Sequence, residues 1–153
     1  MEFKYAFGDV KENMAKAVGK SLPISTKKSV EISNAIRGKS VLKAKAFLRR
    51  VLNMESAVPM KRYNQDTPHR PGIGPGKYPI KAVQEILMII ESAEANAQNK
   101  GLSTNDLIIE HISAHKASTP YHYGRQKRSK MKRTHIQILL LEKKMPKKEG
   151  DKK

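Results

Sequence analysis

A basic segment over residues 117–134 carries side chains suited to binding a phosphate-rich partner. It combines lysines, arginines and aromatic rings and has no acidic residue. Lysine and arginine bind phosphates, whereas tyrosine and histidine rings can stack on unpaired bases. A flexible loop with incidental aromatic residues is the alternative, but the position between two predicted strands favours nucleic-acid binding. The candidate residues are Tyr121, His122, Tyr123, Arg125, Lys127, Arg128, Lys130, Lys132 and Arg133.

The charge of the whole chain indicates the same class of partner. The 153 residues include 31 lysines and arginines against 14 aspartates and glutamates, which gives a net charge of +17. Such a charge destabilises a compact domain by self-repulsion unless a polyanion neutralises it. Nucleic acid fits best, because its phosphates are dense and binding them releases counterions. An anionic membrane surface is the weaker alternative.

Further cations lie on two predicted helices and in a segment rich in proline and glycine. A packed core would hold the helical charges in place, so that they lose little entropy on binding. Residues 55–79 contain five prolines and three glycines and are predicted to form a long basic loop, either disordered or held by a partner. The remaining RNA-binding candidates are Lys27, Lys28, Arg37, Lys39, Lys43, Lys45, Arg49, Arg50, Lys61, Arg62, His69, Arg70, Lys77, His115 and Lys116.

Two glycine-containing motifs resemble nucleotide-binding sequences but lack required residues. Residues 37–40 match the end of a phosphate-binding P-loop, yet Ser33 stands where the first glycine is needed and no predicted strand precedes it. The motif is better interpreted as a turn between helices. Residues 72–76 have the wrong glycine spacing for a dinucleotide site, and Pro75 lacks a donor N–H. These glycines are expected to let the backbone approach a surface closely.

Catalysis and metal binding have little support in the sequence. The absence of cysteine excludes disulfides and cysteine-based zinc sites. His111 and His115 share a face of a predicted strand without a third ligand nearby, which favours RNA contact or plain exposure over a metal pair. Glu85, Glu91 and Glu94 lie on one predicted helix, and no paired-acid or Ser-His-Asp arrangement is legible. We expect no enzymatic activity, no cofactor and no metal.

Apolar residues repeat at helical spacing in three segments. The pattern predicts helices over residues 25–37, 40–53 and 80–100, the first two with a serine at the N-cap. In the third, Met88 and Ile89 widen the apolar face, so this helix is expected to be the central one.

Alternation with a period of two predicts three strands. They cover residues 3–7, 107–116 and 135–141, while residues 9–22 are predicted to be irregular or weakly helical. Segregated helices and strands predict an α+β fold, with three helices packed on a small antiparallel three-stranded sheet.

The last two strands are predicted to form a long extended β-hairpin over about residues 106–141, with its tip at about residues 118–130. If pairing continues outward, the tip would stand roughly 40 Å from the base. Such a ribbon is unstable alone in water and needs a surface to lie against. We expect one domain over residues 1–142 and a charged flexible tail over residues 143–153.

Three short runs resemble the large-subunit ribosomal protein twenty-two family. Residues 25–40 are similar to its first helix and turn, residues 91–97 to its third helix, and residues 132–136 to the return arm of its hairpin. The runs occur in the family's order, and the resemblance covers about residues 5–142. The insertion at residues 55–79 resembles the archaeal and eukaryotic branch, and the short C-terminal end favours the archaeal form.

The resemblance implies a structural protein of the large ribosomal subunit that supports subunit assembly and translation. Its partners would be large-subunit ribosomal RNA, neighbouring large-subunit proteins and, at the hairpin tip lining the exit tunnel, the nascent peptide. The N-terminus has no signal-like apolar run, and the longest apolar stretch, residues 86–90, is too short to span a bilayer. We therefore expect a cytoplasmic protein located in the ribosome, without a membrane partner.

Two other functions compete with this interpretation. A free, sequence-tolerant RNA chaperone or RNA-binding module would also be basic, but it usually gains from disorder or an open stacking sheet. A nuclease or RNA-modifying enzyme would need a metal or an acid-base cluster. Sedimentation of cell extract discriminates the ribosomal protein from the free chaperone, since only a ribosomal protein should migrate with the large subunit through a high-salt wash.

Overall fold

The computed structural model describes residues 5–8 and 11–143 of the chain. The predicted α+β architecture is confirmed, and the three helices end within a residue or two of their predicted bounds. The strands and α-helices in chain order are β1 (Met14–Leu22), α1 (Thr26–Ile36), α2 (Val41–Leu52), β2 (Val58–Pro59), β3 (His69–Arg70), β4 (Gly74–Lys77), α3 (Ile80–Asn99), β5 (Leu107–Lys116) and β6 (Thr134–Glu142).

The main sheet is antiparallel with the strand order β1-β6-β5. In register, Ile138 of the central strand pairs with Ala17 on one side and with Ile112 on the other. These three side chains are buried, as are Ile136 and Leu140, so one face of the sheet is continuously apolar. Each fully buried isoleucine or leucine stabilises the fold by about 1.5–3 kcal/mol. The hairpin strands are thus part of the packed sheet along their paired length.

The helices bury their apolar stripes against this sheet and against each other. α3 packs on β1 and β6, α1 packs on β5, and α2 packs mainly on α3. Ile86 and Ile90 of α3 are fully buried and Ile89 is largely so, whereas Met88 is 64% exposed. Of the two residues expected to widen the apolar face, Ile89 therefore adds to the buried face and Met88 does not. The N-cap of α2 is as predicted, since the Ser40 hydroxyl accepts the Lys43 N–H, but Ser25 makes no such bond with its side chain.

The first strand lies later in the chain than predicted. Residues 5–8 form bends and not a strand, while β1 occupies most of the segment predicted to be irregular. Small residues such as Ala15 and Ala17 conceal the alternation of β1, because alanine and glycine favour strands only weakly. At Gly19 a Cβ atom would lie 2.5 Å from Cδ1 of Ile89, so close packing of α3 explains the small residue there. Phe3 lies outside the described residues.

Residues 5–8 instead cover the second face of the main sheet. The Ala6 N–H donates to Oε1 of Gln137 at 2.8 Å. The rings of Phe7 and His111 meet edge to face with their centroids 5.5 Å apart. This cover explains why β6 has buried residues on both of its faces.

The proline- and glycine-rich segment is folded rather than being an extended loop. Its short strands form a second antiparallel sheet with the order β2-β4-β3. Gly76 at its centre could not carry a Cβ atom without meeting Ala57 at 3.1 Å. The glycine at this position therefore allows close packing within the protein itself, whether or not an outside partner also approaches the backbone. The predicted tail from residue 144 onward lies outside the described residues.

Candidate nucleic-acid interface

A buried carboxylate on α1 fixes the start of the second basic segment. Glu31 is 1% exposed, and its two oxygens accept the backbone N–H groups of Lys61, Arg62 and Tyr63 at 3.1, 2.7 and 2.7 Å. A buried charge is tolerated only when hydrogen bonds replace its lost hydration, and three charge-assisted bonds do so here. The backbone of residues 61–63 is consequently held against α1, while the Lys61 and Arg62 side chains are exposed.

This arrangement forms a basic cleft between α1 and the second sheet, which we call the first cleft. It has a volume of about 540 Å³. Four of its lining residues are cations and one is an acid. The charged and aromatic residues that line it are Lys27, Lys28, Arg62, Tyr63, Asp66 and Lys77.

A second cleft of about 520 Å³ continues from α1 to the root of the hairpin. It shares Ser25, Lys27 and Tyr63 with the first cleft. Its other lining residues are Thr26, Lys116, Thr119, Lys132 and Arg133. The two clefts therefore bring together cations from α1, the second sheet and both arms of the hairpin, which are far apart in sequence.

The hairpin continues beyond the main sheet as an irregular basic tip. The Ala117 N–H donates to the Arg133 carbonyl at 3.0 Å, and Tyr121 bridges Lys130 across the tip. The Lys130 ammonium lies 5.0 Å from the Tyr121 ring centroid. Tyr123 is 89% exposed, and residues 124–130 are all exposed as well. The tip thus presents cations and aromatic rings to the outside, as the sequence predicted.

The cations of α2 differ in whether they have a partner within the fold. Lys43, Arg49 and Arg50 are exposed. Lys45 forms an ion pair with Glu94, which neutralises its charge locally.

Two cations of the turn between these helices have partners within the fold. Arg37 donates from a guanidinium nitrogen to the Ile112 carbonyl at 2.8 Å, which ties the turn to β5. The Lys39 ammonium lies 4.8 Å from the Phe47 ring centroid. Arg37 and Lys39 both remain exposed to solvent, so these contacts leave room for a further ligand.

The remaining predicted residues are on the second sheet and on β5. The Arg70 guanidinium carbon lies 5.3 Å from the Tyr78 ring centroid, and its buried Nε has no hydrogen-bond partner among the described residues. His69 is exposed on β3. His115 is also exposed, with Nε2 3.0 Å from the Ser113 hydroxyl.

Comparison with known proteins decides the family. Residues 17–141 match the model of the family described as ribosomal protein L22p/L17e. The chain belongs to this family. The family predicted from the sequence is therefore confirmed, and the protein is a ribosomal protein and not an enzyme.

Three archaeal relatives carry the name "Large ribosomal subunit protein uL22". The relative from Methanopyrus kandleri is 44% identical over 140 residues, which cover 86% of this chain and 88% of the relative. The relative from Thermoplasma acidophilum is 41% identical over 122 residues, or 76% and 81% of the two chains. The relative from Methanosphaera stadtmanae is 43% identical over 137 residues, or 84% and 89%.

The histidines of this ribosomal protein do not form a metal centre in the part of the chain that is described. No group of three or more histidine, aspartate or glutamate side chains is placed to hold a metal ion there. Burial lowers the pKa of His111, the positive charges of Arg37 and His115 lower it further, and Glu110 raises it. Within residues 5–8 and 11–143, no helix combines the length and the apolar character needed to cross a membrane.

Tyr63 and Glu31, which shape the interface, were not among the residues predicted from the sequence. Tyr63 has the same signal as the tip, an aromatic ring beside a cation, in this case Arg62. Glu31 has no comparable signal, because its burial depends on a backbone segment about thirty residues away that only the folded chain brings to it.

Proposed function

We propose that the chain is a structural component of the large ribosomal subunit that binds large-subunit ribosomal RNA. The observation that carries this proposal is the pair of adjoining basic clefts, in which seven cations surround a single acid, Asp66. The cations are Lys27, Lys28, Arg62, Lys77, Lys116, Lys132 and Arg133. Clustered cations neutralise neighbouring phosphates and release their counterions, which drives binding to RNA.

The scaffold makes these cations effective because it holds them before RNA arrives. α1 is anchored in the core by Ile32 and Ile36, both fully buried. Glu31 fixes the backbone that carries Lys61 and Arg62. Charges that are already positioned lose less conformational entropy on binding. This favours a permanent structural role over transient chaperone activity.

Basic residues of α2 and the second sheet extend the proposed interface. Lys43, Arg49, Arg50, His69 and Arg70 are assigned to contacts with RNA or with its phosphates, as are Arg37 and Lys39 on the turn before α2. Lys45 is the weakest candidate, because Glu94 already neutralises its charge. Neighbouring large-subunit proteins are the proposed partners for surfaces without such charge.

The hairpin tip is proposed to follow ribosomal RNA and line the nascent-peptide exit tunnel. The support is its composition and exposure: residues 121–130 are mostly exposed and carry no acid. Such a segment buries too little apolar surface to order itself fully, so RNA would provide the surface that it needs. The nascent peptide would then pass near the tip. The protein would act in the ribosome, in the cytoplasm.

Sedimentation tests the proposal. A tagged chain is expressed in an archaeal host, and the extract is separated on a sucrose gradient after a high-salt wash. We expect the chain to migrate with the large subunit, because many simultaneous phosphate contacts and a folded interface resist dissociation. Recovery mainly in the soluble fraction, with RNA binding intact, would instead support a free RNA chaperone.

A further inference from the structure

Tyr63 occupies the junction between the two clefts. It lines both of them, and its side chain is neither fully buried nor freely exposed. The two tyrosines of the tip differ, since Tyr121 is 60% and Tyr123 is 89% exposed on a segment without a helix beneath it. Tyr63 is thus an aromatic ring set within the basic surface, whereas the other two stand out from it.

The Tyr63 backbone is held in position, and its ring is flanked by cations. Its backbone N–H is bound by the buried Glu31 carboxylate at 2.7 Å. The Lys27 ammonium lies 5.7 Å and the Arg62 guanidinium carbon 5.6 Å from the ring centroid. Lysine and arginine side chains are long and can move onto phosphates, while the tyrosine ring on this fixed backbone provides a stacking surface.

We infer that the junction of the two clefts binds a single unpaired nucleotide of RNA, with its base stacked on Tyr63. The flanking phosphates would be bound by Lys28 and Lys77 in the first cleft and by Lys132 and Arg133 in the second. This inference rests on the proposed RNA-binding function and adds the kind of RNA element recognised. Neither Tyr63 nor the junction follows from the basic charge of the chain alone.

The geometry favours an unpaired nucleotide over a duplex. The bases of a duplex are stacked inside it, and an aromatic ring can stack only on a base that has left the helix. A cleft of about 540 Å³ is within the range of about 300–1,000 Å³ that is usual for small-molecule sites. The cations outside the junction can still bind the phosphates of the adjoining duplex.

The test uses the purified full chain and two RNA duplexes with a one-nucleotide bulge. In one RNA the bulged nucleotide carries its base, and in the other it is abasic, so that both have the same number of phosphates. We expect the wild-type chain to bind the base-bearing RNA about tenfold more tightly, because stacking of one base on an aromatic ring has roughly this effect. Tyr63→Leu should remove the difference without weakening binding to the abasic RNA, and Tyr63→Phe should keep it. Tyr5→Leu, at a ring that packs on Phe7 and lines neither cleft, is the matched control and should also keep the difference.

A second measurement does not depend on any leucine variant folding. The ring resonances of Tyr63, assigned with the Tyr63→Phe variant, should shift on addition of the base-bearing RNA and not with the abasic RNA. Equal affinity of the wild-type chain for the two RNAs, or persistence of the preference in Tyr63→Leu, overturns the inference and leaves the proposed ribosomal RNA binding standing. Failure to bind either RNA overturns both.

Discussion

Glu31 accepts a hydrogen bond from the backbone N–H of Tyr63 at 2.7 Å, across a separation of 32 residues. The carboxylate is on the buried side of α1, and the tyrosine ring lines the first cleft from residues 61–63. One buried acid in a protein of net charge +17 therefore positions part of its basic surface. The stability of the core and the shape of the interface are coupled through this bond.

Glu31→Gln should loosen residues 61–63. The amide keeps the shape of the side chain but replaces one accepting oxygen by a donor that faces a backbone N–H. Because hydrogen bonds to a charged group contribute about 1.5–3 kcal/mol, we expect unfolding free energy to fall by about 2 kcal/mol. Urea unfolding and amide hydrogen exchange at Lys61, Arg62 and Tyr63 measure the two effects. Glu91→Gln, on the exposed face of α3, is the control. Unchanged exchange in Glu31→Gln would contradict the role assigned to this carboxylate.

Reversing two cations of the first cleft should weaken RNA binding more than reversing two cations elsewhere. Lys27→Glu/Lys28→Glu and the control Lys11→Glu/Lys143→Glu both lower the net charge from +17 to +13, since each reversal removes two charges. Acidic residues in the first turn of α1 favour the helix dipole, so the first variant should fold. We expect about tenfold weaker binding to large-subunit ribosomal RNA than for the control, because attraction becomes repulsion within the cleft. Equal losses in both variants would mean that only total charge matters.

Binding of the wild-type chain to ribosomal RNA should depend steeply on salt. Each phosphate contact releases about one counterion, and we expect the logarithm of the association constant to fall against the logarithm of salt concentration with a slope on the order of −10. Filter binding or fluorescence titration at several potassium chloride concentrations gives this slope. A slope near zero would argue against an interface made mainly of phosphate contacts.

Deleting residues 121–129 should leave incorporation into the subunit largely intact. The paired strands end at Lys116 and Thr134, and the clefts are lined by residues outside the deletion. A short glycine-containing turn replaces the deleted residues. The measurement is the share of the tagged chain found in large-subunit particles, compared with the share of the helix variant Lys39→Glu/Lys43→Glu/Arg50→Glu. We expect the helix variant to incorporate poorly. The opposite ranking would make the tip the primary RNA-binding element.

Protonation of His111 should destabilise the folded chain. Its pKa in the folded protein is below the ordinary value of 6.5, chiefly because of burial. Below pH 6.5 the unfolded chain binds more protons at this position than the folded chain does. The stability that neutral His111 contributes is therefore fully present above pH 6.5 and is lost as the pH falls below it. Urea unfolding between about pH 7 and pH 5 should show a smaller loss of stability in His111→Phe than in the wild type or in the exposed-site control His69→Phe. Parallel curves for all three chains would refute this.

The sequence by itself determined the elements whose signals are local. The helices α1, α2 and α3 and the strands β5 and β6 show strong apolar periodicity, and each period depends only on neighbouring residues. The charge and the family resemblance likewise needed no structure. The exposed basic tip could be predicted for the same reason, since its composition leaves little apolar surface to bury.

Only the tertiary structure decided which distant residues meet. β1 contains several small residues and becomes a strand because Met14 pairs with Leu141 and α3 packs over Gly19. The second sheet forms where proline and glycine suggested a loop, since pairing of its short strands outweighs their weak local preference. Tyr63 joins the interface because Glu31 binds the backbone beside it, and Lys45 is neutralised because α3 brings Glu94 to it. Apart from the local pairing of β3 with β4, these results depend on contacts between segments far apart in sequence, which local patterns of residues do not encode.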